Sequence, residues 1–519
     1  MKSRKVMVGN NLVQNSSIRW MLALTTCLAL GLFSFYALWG VPMQFFRAES
    51  VVWLINAHKQ NPDELATAIA GYFKSYSGHF IPLFFLQEHY TARILGPNET
   101  GWFVRQLLAV IALAVSMATL LSKATKSCVP PSLKFWSAGT LAWIFVTQPI
   151  MFDMFAWPFM FAQMLCLIFG SWSLVALFSF GKHLRPRMLL VSALLAYASL
   201  NVFGVGIIFC AMVISIGSLW TVSRRKQLGG NLFRQAVIWL VGLLILCAAH
   251  ARLMNGGDGG NVLENTVDKV WLWLGLLPTS LHYTMMAIFG CTGFPMPNAA
   301  FIKHNALYGV MGLVGAVCFL IWKRKSILAE SGQSTKWLGI LSLGGFGLYC
   351  LLPALRSGEP DQVVCMLFGA RYLFFSSYFV LLGLGILLNK LALGPRKLQV
   401  LYTLLLLGCT AGSIEFRNSV APTLWPLISH QAYSEKLRYE LVDQDTEATG
   451  DENSPKERAI YELSNIHDRD LAEVFKMHPL PNKNRSTLSF KTQSGDGAFS
   501  EDHLPLELAS PPLSPRWGS

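Results

Sequence analysis

Residues 188–221 read MLLVSALLAYASLNVFGVGIIFCAMVISIGSLWT, and no residue in the stretch carries a charge. As one helix these 34 residues would run roughly 50 Å, against a hydrocarbon core of about 30 Å. A single crossing cannot use that length. Two crossings can, if the chain turns at Asn201 to Gly204, where an amide and a glycine interrupt the apolar run. KHLRPR at 182–187 and RRK at 224–226 bracket the tract, so a hairpin returns both basic flanks to one side of the bilayer, as short cytoplasmic loops require.

Working outward, the rest of the chain repeats this pattern. Hydrophobic residues make up 53% of the 519 positions and charged ones only 14%, which defines an all-α polytopic membrane protein. Apolar runs of spanning length lie near 19–41, 102–122, 135–152, 156–180, 188–202, 203–221, 233–250, 305–322, 337–355, 372–389 and 398–414. They amount to about eleven transmembrane helices. Basic residues at MKSRK, Lys123 and Lys126, 182–187, 224–226, KRK of 323–325, and Lys390 with Arg396 and Lys397 fall on alternate loops. The alternation fits eleven spans with the N-terminus inside. Residues 270–292 are also apolar. One crossing there would put 224–226 and 323–325 on opposite sides, so this segment is expected to be re-entrant or interfacial on the outer face.

Three parts follow: a cytoplasmic N-terminus over 1–18, a transmembrane domain over 19–415, and a polar tail over 416–519 that an odd number of spans leaves outside. The first span has signal-like basic residues ahead of it but no small-x-small cleavage pattern, and reads as a retained helix. The tail holds too few apolar residues for a core. The net charge of +13 is then mostly topogenic, and without a basic stripe interleaved with aromatics nucleic acid is not an expected partner. Most of the ten cysteines sit inside spans, where a thiol is a small apolar group. Cys291 and Cys365 fall on outer segments and leave a disulfide open, and no ligand spacing suggests a structural metal.

Functional surface is expected in the two large outer segments, 42–101 and 251–304. In the first, AESVVWLINAH and DELATAIAGYFKSY carry apolar residues every three or four positions and predict amphipathic helices along the membrane. The second opens with NGGDGG, a turn without the strand or the GK[ST] that a phosphate loop needs.

Several polar residues stand against apolar surroundings. Asp153 in QPIMFDMFAWPF (148–159) lies at the turn between the third and fourth spans, where an acid either faces a cavity or caps the next helix. Glu49 in FFRAES can serve as a general base or place a negative charge at a helix start. His79, Glu88 and His89 lie in SGHFIPLFFLQEHY, and an outer histidine binds phosphate, shuttles protons or simply faces solvent. Arg93 and Arg105 suit a phosphate or an interfacial anchor. Arg371 and Tyr372 in FGARYLFFSSYF sit at the outer mouth of the tenth span. A guanidinium there suits a lipid-linked phosphate, with headgroup contact as the alternative.

In this order the segments resemble the polytopic GT-C glycosyltransferases, in particular the polyprenyl-phosphate-sugar-dependent, mannosyltransferase-like members. GHFIPLFFLQEHYTARILGPNETGWFVRQLL is similar to their HFRPL segment and the start of the second span. QPIMFDMFAW resembles an HP-x3-E-x3-W pattern, with Pro149, Asp153 and Trp157 at its proline, acid and tryptophan. LLAYASLNVFGVGIIF resembles the family's apolar hairpin, with Asn201 where a Glu is usual. GARYLFFSSYFVLLGLGIL resembles a GERYLYLPS-type segment, with Arg371 and Tyr372 at the matching places. The family's acidic pair after the first span is here Ala48-Glu49-Ser50.

The resemblance implies a GT-C-like fold and inverting sugar transfer from a polyprenyl-phosphate donor to a glycan, lipid or protein acceptor at the outer face. Glu49 and Asp153 would be the catalytic acids. His79, Arg371 and Tyr372 would meet the donor phosphate, and some members of the class use a divalent cation. The short loops favour a bacterial inner membrane. A transporter or export scaffold, or a polysaccharide polymerase or ligase, are the alternatives. Transporters usually show repeated halves with broken mid-membrane helices, and no such repeat is visible here.

Overall fold

The structure is a computed structural model that describes residues 56–59, 61–74, 80–96, 98–124, 160–254, 266–288, 299–329, 335–356 and 370–393, together with 138–139, 141–142, 144–146, 148, 400 and 404. It is helical, with no strand among the described residues. Two helices precede the bundle: α1 (Pro62–Gly71) and α2 (Pro82–Leu95). The bundle contains α3 (Glu99–Ala124), α4 (Phe161–His183), α5 (Pro186–Val202), a 3-10 turn (Gly204–Gly206), α6 (Ile207–Ser223) and α7 (Arg225–Met254). It continues with α8 (Thr266–Ile288), α9 (Ala299–Ala329), α10 (Thr335–Arg356) and α11 (Ala370–Leu393).

Six helices among the described residues are long and apolar enough to cross a membrane: 101–124, 161–183, 204–223, 225–253, 300–318 and 337–355. Pro186–Val202 and Leu373–Gly385 are shorter apolar helices. The expected spans at 19–41 and, apart from Val400 and Leu404, at 398–414 lie outside the described residues, while 135–152 is described only in part. The eleven-span count therefore stands as an expectation.

The split of the opening tract falls where the sequence places it. α5 ends at Val202, Phe203 is extended, and α6 begins at Ile207. Gly206 makes the turn possible, because a Cβ there would stand 2.3 Å from Leu200 N and from the Ser199 carbonyl carbon. The two helices then pack against α4. Ser173 and Ser192 exchange hydroxyl-to-carbonyl bonds of 2.9 Å, and Ser199 donates to the Cys166 carbonyl at 2.8 Å. These pairs run in opposite sequence directions, so α4 and α5 are antiparallel.

Interhelical hydroxyl bonds recur in the core. Ser171 Oγ meets Tyr378 Oη at 2.6 Å, Ser342 donates to the Phe379 carbonyl at 2.6 Å, and Thr284 meets Ser376 at 2.7 Å. In a bilayer apolar contact between helices gains little over contact with lipid, so such bonds, about 0.6 to 2 kcal/mol each, help to select the helix partners.

The basic runs at 182–187 and 224–226 share one end of this bundle. Arg224 donates to the Gly181 carbonyl at 2.6 Å, and Trp220 packs edge-on to Trp337 at 5.3 Å. The C-terminal ends of α4 and α6 and the start of α10 therefore share that end. α7 leaves it through a kink at Gly229 (φ 69°) and carries His250 to the other end.

Within the segment expected to be re-entrant or interfacial, residues 266–288 form α8, one face of which, with Leu276, Thr279, Ser280 and Thr284, is buried. Trp273 donates to the Gly347 carbonyl, in the middle of α10, whereas Thr284 meets Ser376, near the start of α11. α8 thus advances toward the end at which α11 begins.

Candidate functional site

The end opposite the basic loops is built around α2. Pro82 supplies the first helical position, where a missing N–H costs nothing. Phe84, Phe85, Glu88, His89 and Ala92 fall on one helical face and are buried, while Leu83, Tyr90 and Ile94 face outward. Glu88 and His89 sit four residues after Phe84 and Phe85, so the periodicity that buries the aromatics also buries a carboxylate and an imidazole.

α2 ends at Gly96, whose φ of 53° and ψ of −145° suit glycine and few other residues. Its carbonyl accepts from Trp102 Nε1 at 2.8 Å, and Asn98 Oδ1 accepts from Gly101 N at 3.1 Å to cap α3. The reversal brings Arg105 Nη1 to 2.6 Å from Glu88 Oε1, the carboxylate side chain being 1% exposed. The Arg105 guanidinium also lies 4.4 Å from the Trp102 ring centroid and 4.1 Å from that of Phe161 at the start of α4. Burial pushes the Glu88 carboxyl above the usual carboxylate range, and the Arg105 charge opposes that rise. With its carboxylate occupied by Arg105, Glu88 is a structural anchor and not a free base.

His89 is buried as well. Its Nδ1 lies 3.1 Å from Tyr72 Oη, just past α1. Burial lowers the imidazole's proton affinity, as do the nearby charges of Arg93 and His58. Burial raises the Tyr72 phenol, with an Asn56 side-chain hydrogen bond acting the other way. Tyr72 Oη and His89 Nδ1 thus share one hydrogen bond, whose donor is set by the imidazole tautomer.

The hairpin and α11 complete this end. Phe203 stacks on Phe375 with ring centroids 5.5 Å apart and an 8° interplanar angle. Phe145 stacks on Phe374 at 5.1 Å, and Tyr349 lies 5.8 Å from Phe375. Phe80, in the segment entering α2, packs edge-on to His250 of α7, which also meets Tyr197 of α5.

Glu49, His79 and Asp153 lie outside the described residues. The backbone of Arg371 and Tyr372 forms the first turn of α11, whose described side chains begin at Leu373. Cys291 and Cys365 also lie outside. The amphipathic helix expected at 63–76 is the shorter α1, capped by Asn61 Oδ1 on Asp63 N, and the stretch 48–58 is described only from Asn56. Glu88 and Arg105 were each visible as candidates, but their pairing was not. Tyr72, Tyr197 and His250 were not singled out, although His250 is a polar residue in the last turn of an apolar run. No group of three or more His, Cys, Asp or Glu able to hold a metal occurs among the described residues.

No family model matches the chain, and no curated protein or solved structure is similar to it.

Proposed function

We propose that this chain is a GT-C-type membrane glycosyltransferase that moves a sugar from a polyprenyl-phosphate donor to a glycan, lipid or protein acceptor at the outer face of a bacterial inner membrane. The observation that carries this reading is the meeting, at one end of the bundle, of segments far apart in sequence. α2 and Arg105 belong to the 78–108 stretch, and Arg105 touches Phe161, just beyond QPIMFDMFAW. Tyr197 and Phe203 belong to the hairpin, and Phe203 stacks on Phe375, four residues after Arg371. Described residues of three of the four stretches that resemble the GT-C pattern thus share this end, and the fourth, QPIMFDMFAW, precedes Phe161 by a few residues in sequence.

The basic end faces the cytoplasm in this reading, and the aromatic end faces outward with the N-terminus inside and the tail outside. The acceptor hydroxyl attacks the anomeric carbon with inversion. A bond forms from the acceptor oxygen to that carbon while the bond from the carbon to the phosphate oxygen breaks, its electron pair leaving on the lipid phosphate. Glu49 takes the acceptor proton, and Asp153 positions the acceptor or a divalent cation. Arg371, His79 and Tyr372 meet the charge that grows on the leaving phosphate. The Glu88–Arg105 pair holds α2 in place.

Donor kinetics test the phosphate assignment. Arg371→Ala is expected to raise the donor KM, with partial recovery in Arg371→Lys, because a point charge replaces only part of a bidentate fork. A donor KM unchanged in both variants removes Arg371 from the phosphate site.

A further inference from the structure

His250 lies in the last turn of α7 and is 1% exposed. Among the described residues neither of its ring nitrogens has a hydrogen-bond partner. Phe80 stands edge-on to the imidazole at 5.2 Å and 75°, and Tyr197 at 6.2 Å and 81°. A neutral imidazole has one N–H and one lone pair. An aromatic face can take the N–H in a weak contact, but it cannot donate to the lone pair. Leaving a buried acceptor unmatched costs about 1 to 3 kcal/mol, which an apolar side chain of similar size would avoid.

A buried water would donate to that lone pair, but it also needs two to four polar partners, and of the two flanking rings only Tyr197 carries a polar atom. A pyranose fits better. It brings a hydroxyl donor for the imidazole and apolar C–H faces for the electron-rich ring faces of Phe80 and Tyr197. Of the two flanking rings, that of Phe80 belongs to no helix and is the one a sugar would displace.

We propose that His250, flanked by Phe80 and Tyr197, accepts a hydrogen bond from a hydroxyl of a bound sugar. This rests on the glycosyltransferase reading and adds to it a sugar subsite between α5, α7 and the segment entering α2. The sugar ring belongs either to the lipid-linked donor or to the acceptor, and both present the same hydroxyl chemistry.

The test uses the full chain in nanodiscs as wild type, His250→Phe and His250→Gln. The probes are octyl glucoside, octyl galactoside and octyl mannoside on the acceptor side, with the farnesyl-phosphate-linked forms of the same three sugars on the donor side. Binding and ligand-free Tm are measured for each protein. His250→Phe is expected to raise the ligand-free Tm, since it removes an unmatched polar group, and to weaken the probe that wild type binds by about tenfold, the worth of one hydrogen bond. His250→Gln, which keeps an acceptor, retains most of that binding. Loss confined to the alkyl glycosides assigns the subsite to the acceptor, and loss confined to the farnesyl-phosphate sugars assigns it to the donor. Unchanged binding in His250→Phe, whichever way its Tm moves, overturns the subsite and leaves the glycosyltransferase reading intact. A folded wild type that binds neither class of probe overturns both.

Discussion

Arg105 donates through Nη1 to Glu88 Oε1 at 2.6 Å, and this bond ties the helix α2 to the apolar helix α3. Taking both charges out of water is costly, so the pair adds little net stability over a well-packed apolar substitute. Removing one partner is different, because it strands the other charge. Glu88→Leu or Arg105→Met alone is expected to cost about 3 to 5 kcal/mol. The double variant Glu88→Leu/Arg105→Met should recover most of the loss, even though the guanidinium contacts with Trp102 and Phe161 go with it. Thermal unfolding of the four proteins in one detergent checks this. Additive losses in the double variant would mean that the two charges are not coupled.

The Tyr72–His89 contact gives the fold a pH dependence. Burial and the neighbouring Arg93 and His58 hold the folded imidazole below its ordinary value, which is about 6.5 in an unfolded chain. On acidification the unfolded state therefore takes up this proton first. The stability contributed by neutral His89 is present above about pH 6.5 and is lost as pH falls toward the folded value. The Tm of wild type should drop between about pH 7.5 and about pH 5, and His89→Phe should show a shallower drop. An equal slope in the two proteins would assign the dependence to other groups.

Much of the helical layout was legible because hydropathy reads the bilayer directly. The tract at 188–221 divides at the residues that its length demanded, and the basic runs at 182–187 and 224–226 share an end. Residues 270–292 were harder to place, since a count of charges cannot show that Thr279, Ser280 and Thr284 turn inward. Hydropathy weighs residues singly and carries no sign that Glu88 and His89 are buried. Only the helical register with Phe84 and Phe85, and the glycine turn at Gly96, put them inside. His250 escaped notice for a related reason. Its partners Phe80 and Tyr197 come from two other elements, and sequence spacing carries no sign of that meeting.

The hairpin turn offers a direct test of the backbone packing. Gly206→Ala would place a methyl 2.3 Å from Leu200 N, so the turn must open, with loss of folded protein or a fall of several degrees in Tm. Gly242 on α7 has nothing within 4 Å of its would-be Cβ. Gly242→Ala should be neutral or stabilise by about 1 kcal/mol through helix propensity. Equal behaviour of the two variants would contradict the close approach at Gly206.

The most direct test of the proposed activity is the transfer of radiolabelled sugar from a panel of polyprenyl-phosphate sugars by the purified chain with native membrane acceptors. Wild type is compared with Glu49→Gln and Asp153→Asn. The expected result is transfer by wild type from at least one donor, reduced at least about a hundredfold in either variant while folding, judged by Tm and gel filtration, is unchanged. Transfer that survives both substitutions would keep the enzyme and remove these two residues from its chemistry. No transfer by folded wild type from any donor would contradict the glycosyltransferase assignment itself.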